Sequence, residues 1–217
     1  MEIFIDSADP EEISELHSFG IIDGVTTNPS LMAKTEGDFY KTAKKICKIV
    51  SPFPVSLEVS SDSYEEMLIQ GKKLFSLAEN VVLKLPMTWD GIKACNYFTS
   101  NGHHVNMTLC FSATQALLAA KASATYVSPF IGRLDDAGED GLELVADIRE
   151  IFSNYDFNTK ILAASIRSIY HIYQATLIGA DVITAPGKII RQLIEHPLTD
   201  KGLEIFANDW KKSGLKI

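Results

Sequence analysis

Residues 81–109 contain one complete folding unit, V-V-L-K-L-P-M-T-W-D-G-I-K-A-C-N-Y-F-T-S-N-G-H-H-V-N-M-T-L. The unit opens with a run of β-branched and apolar residues over 81–86, which is typical of a buried strand. An amphipathic helical pattern follows over 91–99, and a second apolar run covers 104–109. A strand, a helix and another strand in this order predict a parallel βαβ unit.

The same alternation repeats along the whole chain. Eight strand-like runs are present, at 2–6, 24–28, 55–59, 81–86, 104–109, 126–130, 160–165 and 181–186. Helical patterns follow them at 11–18, 39–50, 64–77, 91–99, 113–122, 142–152, 170–178 and 188–195. Eight units in 217 residues, about 27 residues each, predict a compact α/β fold, a single-domain (β/α)₈ TIM barrel over 1–217.

A doubly wound open sheet is the alternative. That fold would carry a glycine-rich turn after its first strand. Here the first run ends in Asp6-Ser7-Ala8-Asp9, and the sequence has no dinucleotide-binding or phosphate-loop motif. The barrel is therefore favoured.

An additional C-terminal helix is predicted over 199–213. Its apolar stripe consists of Leu203, Phe206, Ala207 and Trp210 at helical spacing. A closed barrel does not need this helix, so we expect the stripe to serve assembly into a homo-oligomer.

Composition restricts the classes of partner. The chain has 20 Lys+Arg against 28 Asp+Glu, a net charge of −8, and lacks a dense basic patch, so we expect neither nucleic acid nor a membrane as partner. The uncharged stretch 94–120 contains too many polar residues for a membrane span. Three cysteines without C-x-x-C spacing and an N-terminus unlike a signal peptide predict a cytoplasmic location.

Polar residues interrupt the apolar runs near their carboxyl ends. We count them in seven of the eight runs: Asp6, Thr26, Asn28, Glu58, Lys84, Asn106, Thr108, Ser128 and Ser165. Any single serine or threonine could simply satisfy the backbone. A buried polar group is costly unless it is paired, however, and in a barrel these strand ends meet at one face. The set therefore predicts a shared active site at that face.

Lys84 is the most informative member of the set. It lies in V-V-L-K-L-P with apolar neighbours on both sides. Burial favours the neutral amine, which is the form that attacks a carbonyl to make a Schiff base. The alternative is a structural ion pair with Glu58 or Asp6. Those carboxylates would equally serve as acid and base, so pairing does not exclude catalysis.

Two of the four arginines follow the sixth and seventh runs. Arg133 and Arg167, together with Ser165, form a set that suits a phosphate monoester, although they could also be solvated loop residues. We expect Asp135 and Asp136 to partner Arg133 rather than bind a metal. No metal-ligand cluster or cofactor motif is found, so we expect no cofactor.

Six motifs together resemble the small-subunit transaldolases and the related fructose-6-phosphate aldolases. The motifs are G-V-T-T-N-P-S-L (24–31), V-V-L-K-L-P-M-T (81–88), V-N-M-T-L (105–109), Y-V-S-P-F-I-G-R-L-D-D (126–136), A-A-S-I-R (163–167) and H-P-L-T-D-K-G (196–202). The resemblance implies a Schiff-base lysine at Lys84 and a proton-transferring acid/base at Asp6. It also implies that Glu58 and Thr108 hold the catalytic water.

The resemblance further implies roles in substrate binding. Sugar hydroxyls would be contacted by Asn28, Asn106 and Ser128, and the phosphate by Arg133, Ser165 and Arg167. In this family, aldolase activity goes with glutamine at the position of Glu58 and tyrosine at that of Phe130, so this chain is expected to be a transaldolase acting on sugar phosphates. The alternatives are fructose-6-phosphate aldolase and a non-catalytic sugar-phosphate binding barrel. Ring assemblies, pentamers or decamers, are also implied.

Two segments depart from the family pattern. They are 168–170, at the start of the seventh helix, and 185–187, after the eighth strand. Both lie beside the predicted phosphate site.

Overall fold

A computed structural model describes residues 1–35 and 37–216 of the chain. Its eight strands are β1 Glu2–Asp6, β2 Gly24–Thr26, β3 Val55–Glu58, β4 Val81–Pro86, β5 Val105–Cys110, β6 Tyr126–Pro129, β7 Lys160–Ala163 and β8 Val182–Ala185. The helices are α1 Pro10–Ser18, α2 Pro29–Met32, α3 Phe39–Val50, α4 Tyr64–Phe75, α5 Trp89–Ser100, α6 Ala113–Lys121, α7 Ile131–Asp136, α8 Gly141–Asn154, α9 Ile169–Ile178, α10 Gly187–Gln192 and α11 Pro197–Ser213.

The strands form a closed parallel barrel in chain order, and β1 pairs with β8 to close it. The predicted TIM barrel is confirmed. The two short helices α2 and α7 are additions that the sequence patterns did not predict. Phe130, predicted to end the sixth strand, lies one residue beyond β6 and forms a single bridge with Ala164.

Alternation along the strands separates two apolar layers. Outward residues such as Ile5, Leu83 and Ile183 pack against the helices in one large core. Inward residues form a small second cluster that fills the barrel: Phe4, Val82, Tyr126, Leu162, Ala164 and Val182. This cluster closes one end of the barrel interior with side chains, as is usual for the fold.

The next inward position on four of these strands is polar. Two residues beyond Phe4, Val82, Tyr126 and Val182 stand Asp6, Lys84, Ser128 and Thr184. Because the side-chain period of a strand is two, these four side chains lie together above the apolar floor. The barrel thus positions a buried polar layer at the carboxyl ends of its strands.

The C-terminal helix is present and begins two residues earlier than predicted, at Pro197. None of its residues is buried, and Leu203, Phe206 and Trp210 are 63%, 72% and 45% exposed.

In the described part of the chain, no helix combines the length and apolar character needed to span a bilayer. The three cysteines of the chain, Cys47, Cys95 and Cys110, are buried and form no disulfide in the described residues. Burial raises the pKa of the Cys47 thiol to about 11.

Candidate active site

Lys84 lies in the middle of β4 and is only 5% exposed. Its ammonium group forms an ion pair with Glu58, with Nζ 3.0 Å from Oε2, and donates a hydrogen bond to the Thr27 carbonyl oxygen at 3.0 Å. Glu58 stands directly opposite Lys84 in the register of β3 and β4, which explains the contact. Of the two partners that the sequence left open, Glu58 is the one in contact.

Asp6 is the second ionisable group of the polar layer. Burial raises the pKa of its carboxyl, while the nearby charge of Lys84 and a hydrogen bond from Thr26 act in the opposite direction. That bond runs from Thr26 Oγ1 to Asp6 Oδ1 at 2.8 Å. A carboxylate with a raised pKa is a stronger base, and a pKa nearer to the working pH suits a group that both takes up and returns a proton.

Thr184 was missed by the sequence analysis, which found no polar group in the eighth strand. Thr184 Oγ1 lies 2.6 Å from Thr26 Oγ1, and Thr184 is 3% exposed. The signal was available, because Thr184 interrupts the apolar run V-I-T-A in the same way that Lys84 interrupts its own strand.

Asn106 and Ser128 are fully buried and bond to each other. Ser128 Oγ donates to Asn106 Oδ1 at 2.6 Å, and Asn106 Nδ2 donates to Ser56 Oγ at 3.3 Å. Thr108 Oγ1 is also buried, but it has no hydrogen-bond partner among the described residues. A buried hydroxyl in that condition calls for a partner outside the protein, such as water or substrate.

Asn28 caps helix α2. Its Oδ1 accepts a hydrogen bond from the Leu31 backbone N–H at 2.9 Å, which fixes the side chain at the strand end. Within residues 1–35 and 37–216, the two N–H donors of this amide have no hydrogen-bond acceptor, so they are available to another partner.

The predicted phosphate residues lie in two neighbouring segments: Arg133 is in α7, after β6, and Ser165 and Arg167 are in the loop after β7. The guanidinium of Arg133 lies over the ring of Phe130, with Cζ 5.0 Å from the ring centroid. Arg167 Nη2 forms an ion pair with Asp136 Oδ2 at 2.8 Å, and Asp135 contacts His171. The prediction that Asp135 and Asp136 partner Arg133 is therefore wrong, because the fold brings them towards the loop after β7.

These two segments contact each other through their backbones. Gly132 N donates to the Ser165 carbonyl oxygen at 3.0 Å, and a Cβ at Gly132 would stand 2.4 Å from that oxygen. Ser165 itself adopts a left-handed backbone conformation, with φ of 57°. Only glycine permits this approach, and the approach sets Ser165 and Arg167 beside Arg133.

One cavity of about 330 Å³ joins both halves of the site. It is lined by Asp6, Thr26, Asn28, Lys84, Ser128, Phe130, Arg133, Ala164, Ser165, Ile166, Arg167, Thr184 and Pro186. Of the predicted site residues, Glu58, Asn106 and Thr108 do not line it; Glu58 lines a neighbouring cavity of about 530 Å³. A larger cavity of about 720 Å³, beside α1 and α3, does not reach Lys84. The 330 Å³ cavity thus has the amine of Lys84 and the carboxyl of Asp6 at one end, and the guanidinium groups of Arg133 and Arg167 at the other.

Comparison with known proteins identifies the family of the chain. The sequence matches the family model Transaldolase/Fructose-6-phosphate aldolase over residues 3–217. Proteins named "Probable transaldolase" from Brucella ovis and Roseobacter denitrificans are each 57% identical, and one from Rhizobium meliloti is 55% identical, over 100% of both chains. The solved thiamine phosphate pyrophosphorylase from Pyrococcus furiosus shares the fold, with a TM-score of 0.60 and 14% identity over 85% of each chain. The chain belongs to the transaldolase/fructose-6-phosphate aldolase family.

Proposed function

We propose that the chain is a transaldolase, which moves a dihydroxyacetone unit from a ketose phosphate to an aldose phosphate through a Schiff base on Lys84. The observation that carries the proposal is the single cavity that contains the Lys84 amine, the Asp6 carboxyl and the two arginines. The donor substrates of this transaldolase are sedoheptulose 7-phosphate and fructose 6-phosphate. Its acceptor substrates are glyceraldehyde 3-phosphate and erythrose 4-phosphate. These are the reactions of the non-oxidative pentose phosphate pathway.

The first step forms the imine. Glu58, 3.0 Å from Lys84 Nζ, takes a proton from the ammonium group, and the neutral amine attacks the ketone carbon. The carbinolamine then loses water to give a protonated imine. We assign the handling of that water to Glu58 and Thr108, since the buried Thr108 hydroxyl is without a protein partner in the described chain.

The second step breaks the C3–C4 bond. Asp6 removes the proton from the C4 hydroxyl, the C4 carbonyl forms, and the bonding electron pair moves to the imine nitrogen to leave an enamine on Lys84. The aldose phosphate departs. An acceptor aldehyde is attacked by the enamine carbon, and Asp6 returns its proton to the new hydroxyl oxygen. Water then hydrolyses the imine and releases the new ketose.

Substrate orientation comes from the two ends of the cavity. Arg133, Ser165 and Arg167 hold the phosphate, and a planar guanidinium suits a phosphate oxygen pair. The amide N–H groups of Asn28 are free to meet a sugar hydroxyl. Ser128, which lines the cavity, and Asn106, which fixes the Ser128 hydroxyl, complete the hydroxyl-binding set.

Borohydride reduction in the presence of fructose 6-phosphate, followed by peptide mass mapping, tests the proposal. We expect a dihydroxyacetone-sized adduct on Lys84. Lys160 is a matched control, because it also lies in a barrel strand but bonds to Glu2 at the other barrel end, and it should stay unmodified.

A parallel incubation without borohydride, read together with the trapping result, separates the alternatives. Free dihydroxyacetone without an acceptor would indicate an aldolase, and the absence of any adduct would indicate a sugar-phosphate binder. Glu58 and Phe130 support the transferase, because the aldolase pattern has glutamine and tyrosine at those positions.

We also propose a cytoplasmic homo-oligomer, a pentamer or decamer. Three buried free thiols suit a reducing compartment, and the fully unburied α11 is a surface that a second copy could cover.

A further inference from the structure

His171, in the first turn of α9, joins the two segments that carry the arginines, α7 and the loop after β7. Its Nε2 lies 3.1 Å from Asp135 Oδ2, and the Arg167 backbone N–H donates to its Nδ1 at 3.3 Å. The side chain is only 13% exposed. One imidazole therefore contacts the segment after β6 through one nitrogen and the segment after β7 through the other.

These contacts specify a single protonation state. Nδ1 accepts a hydrogen bond, so it carries no proton, and Nε2 must carry the proton that it donates to the carboxylate. The imidazole is neutral in this arrangement. Each ring nitrogen then makes one hydrogen bond. A 180° flip of the ring would break both of them.

Asp135 is itself held from a third direction. Its Oδ1 accepts a hydrogen bond from the Gly141 backbone N–H at 3.1 Å, at the start of α8. The neighbouring Asp136 pairs with the guanidinium of Arg167, so the side chain of Arg167 contacts α7 directly, and its backbone N–H is linked to α7 through His171. The position of Arg167 thus depends on α7 and α8 as well as on its own loop.

We propose that His171 is a positioning residue of the phosphate-binding end of the cavity: by bonding Asp135 and the Arg167 N–H together, it holds Arg167 beside Arg133 and Ser165. This proposal rests on the assignment of the phosphate to those residues. A histidine that merely capped α9 would stabilise the helix and leave phosphate affinity alone, since Ser168 already caps α9 through the His171 N–H at 3.3 Å.

Three substitutions separate the two contacts. His171→Phe removes both at similar size. His171→Asn keeps an oxygen near the position of Nδ1 and can still accept from the Arg167 N–H, but it is too short to reach Asp135. His171→Gln can reach Asp135 and leaves no acceptor at the Arg167 N–H. The contact that positions Arg167 is identified by which of the last two variants retains function.

The probes are inorganic phosphate, tested as an inhibitor, and dihydroxyacetone, which lacks a phosphate and is trapped on Lys84 by borohydride. For His171→Phe we expect inhibition by phosphate to weaken, and KM for fructose 6-phosphate to rise, by roughly 5- to 10-fold, as for one or two lost hydrogen bonds. The rate of dihydroxyacetone trapping should equal that of the wild type. His171→Asn should recover more phosphate affinity than His171→Gln.

Unchanged phosphate inhibition in a folded His171→Phe protein would overturn the proposal. Equal losses of phosphate affinity and of dihydroxyacetone trapping would also overturn it, because they indicate a general structural role. If His171→Phe does not fold, the comparison of the Asn and Gln variants decides the matter by the same criteria. A wild-type protein that traps dihydroxyacetone on Lys84 but ignores phosphate would refute the phosphate site and this inference together. Absence of trapping in the wild type would refute the proposed transaldolase activity.

Discussion

Thr184 on β8 donates a hydrogen bond to Thr26 on β2 across the face of β1. The two Oγ1 atoms are 2.6 Å apart, and Thr26 donates its single proton to Asp6. Thr184 must therefore be the donor within the threonine pair. The result is a directed chain, Thr184 to Thr26 to Asp6, whose protons all point towards the carboxylate. Such a chain favours the ionised form of Asp6 and opposes the effect of its burial.

Thr184→Val should shift the acidic limb of the kcat/KM profile to higher pH. Valine has the shape of threonine but no proton to donate, so Thr26 becomes a weaker donor and the pKa of Asp6 rises further above its ordinary value. The check is a pH–rate profile with fructose 6-phosphate as donor. Thr184→Ser restores the hydroxyl and should restore the limb; a Val profile that overlies the wild type would show that the chain has no influence on Asp6.

Asp6→Asn should stabilise the folded protein while it abolishes transfer. A pKa raised above 3.8 means that the folded chain holds this proton more tightly than the unfolded chain, so the free energy of unfolding falls as pH rises from 3.8 through the raised value. Asparagine removes that loss and can still accept from Thr26. Urea unfolding should show a gain at pH 7 that shrinks as the pH approaches 3.8.

Asp62→Asn, at an exposed position, is the matched control for the effect of the amide substitution itself. A less stable Asp6→Asn protein at pH 7 would mean that the attraction between Asp6 and Lys84 outweighs the burial of the carboxyl.

Lys84→Met should abolish turnover and borohydride trapping in a protein that still folds. Methionine fills a similar volume in β4 and adds no desolvation cost. Folding is checked by circular dichroism and activity by the transfer assay. Retained transfer above about one-thousandth of the wild-type rate, far more than a protein without its nucleophile should keep, would mean that another nucleophile carries the reaction.

Phe130→Tyr should turn part of the transferase activity into aldolase activity. Phe130 lines the cavity and packs edge-on against Phe111, so a tyrosine would add its hydroxyl close to the bound enamine. A positioned general acid contributes roughly 10²–10⁴-fold, enough for protonation and hydrolysis to compete with transfer. The measurement is free dihydroxyacetone released from fructose 6-phosphate without an acceptor.

Adding Glu58→Gln should raise that release further, because it changes the group assigned to the water. Phe111→Tyr is a control of the same chemistry on the neighbouring ring, which does not line the cavity. If a folded Phe130→Tyr protein releases no more dihydroxyacetone than the wild type, Phe130 is only a packing residue.

The intact chain should sediment as an oligomer at micromolar concentration, and Phe206→Glu with Trp210→Glu should shift it to smaller species. Both side chains belong to the unburied stripe of α11, which would otherwise face water. Tyr155→Glu is the control, since this side chain is 69% exposed and belongs to the C-terminal end of α8 rather than to α11. A wild-type monomer would disprove the assembly role of the stripe.

Strand positions could be predicted because each apolar run is short and is followed by a helical pattern. Strand ends were less predictable, because tertiary contacts decide where pairing stops. The seventh run was predicted to reach Ser165, yet β7 ends at Ala163, since Ser165 turns into a left-handed conformation against Gly132. Helix α2 was missed because it is only one turn long and depends on the Asn28 cap.

In the candidate site, the type and strand of most polar residues could be predicted, with Thr184 as the exception, but their partners could not. Asp136 and Arg167 are 31 positions apart and meet only because the segments after β6 and β7 contact each other. From the sequence, Asp135 and Asp136 were equivalent neighbours of Arg133. The contact between Glu58 and Lys84 differs from these contacts, because it can be predicted once the fold is known. The order of strands in the barrel places β3 beside β4, and these two residues are opposite each other in the register.

The pairing of β1 with β8 has a consequence for the order in which the site is assembled during synthesis. Thr26 and Thr184 are separated by 158 positions, so a ribosome must complete most of the chain before the proton chain to Asp6 exists. A product of interrupted translation that stops before β8 contains Lys84 and Asp6 but leaves β1 as an open edge, which invites pairing with other chains. The cavity around Lys84 is therefore complete only after β8, the last strand of the barrel, has been synthesised and has paired with β1.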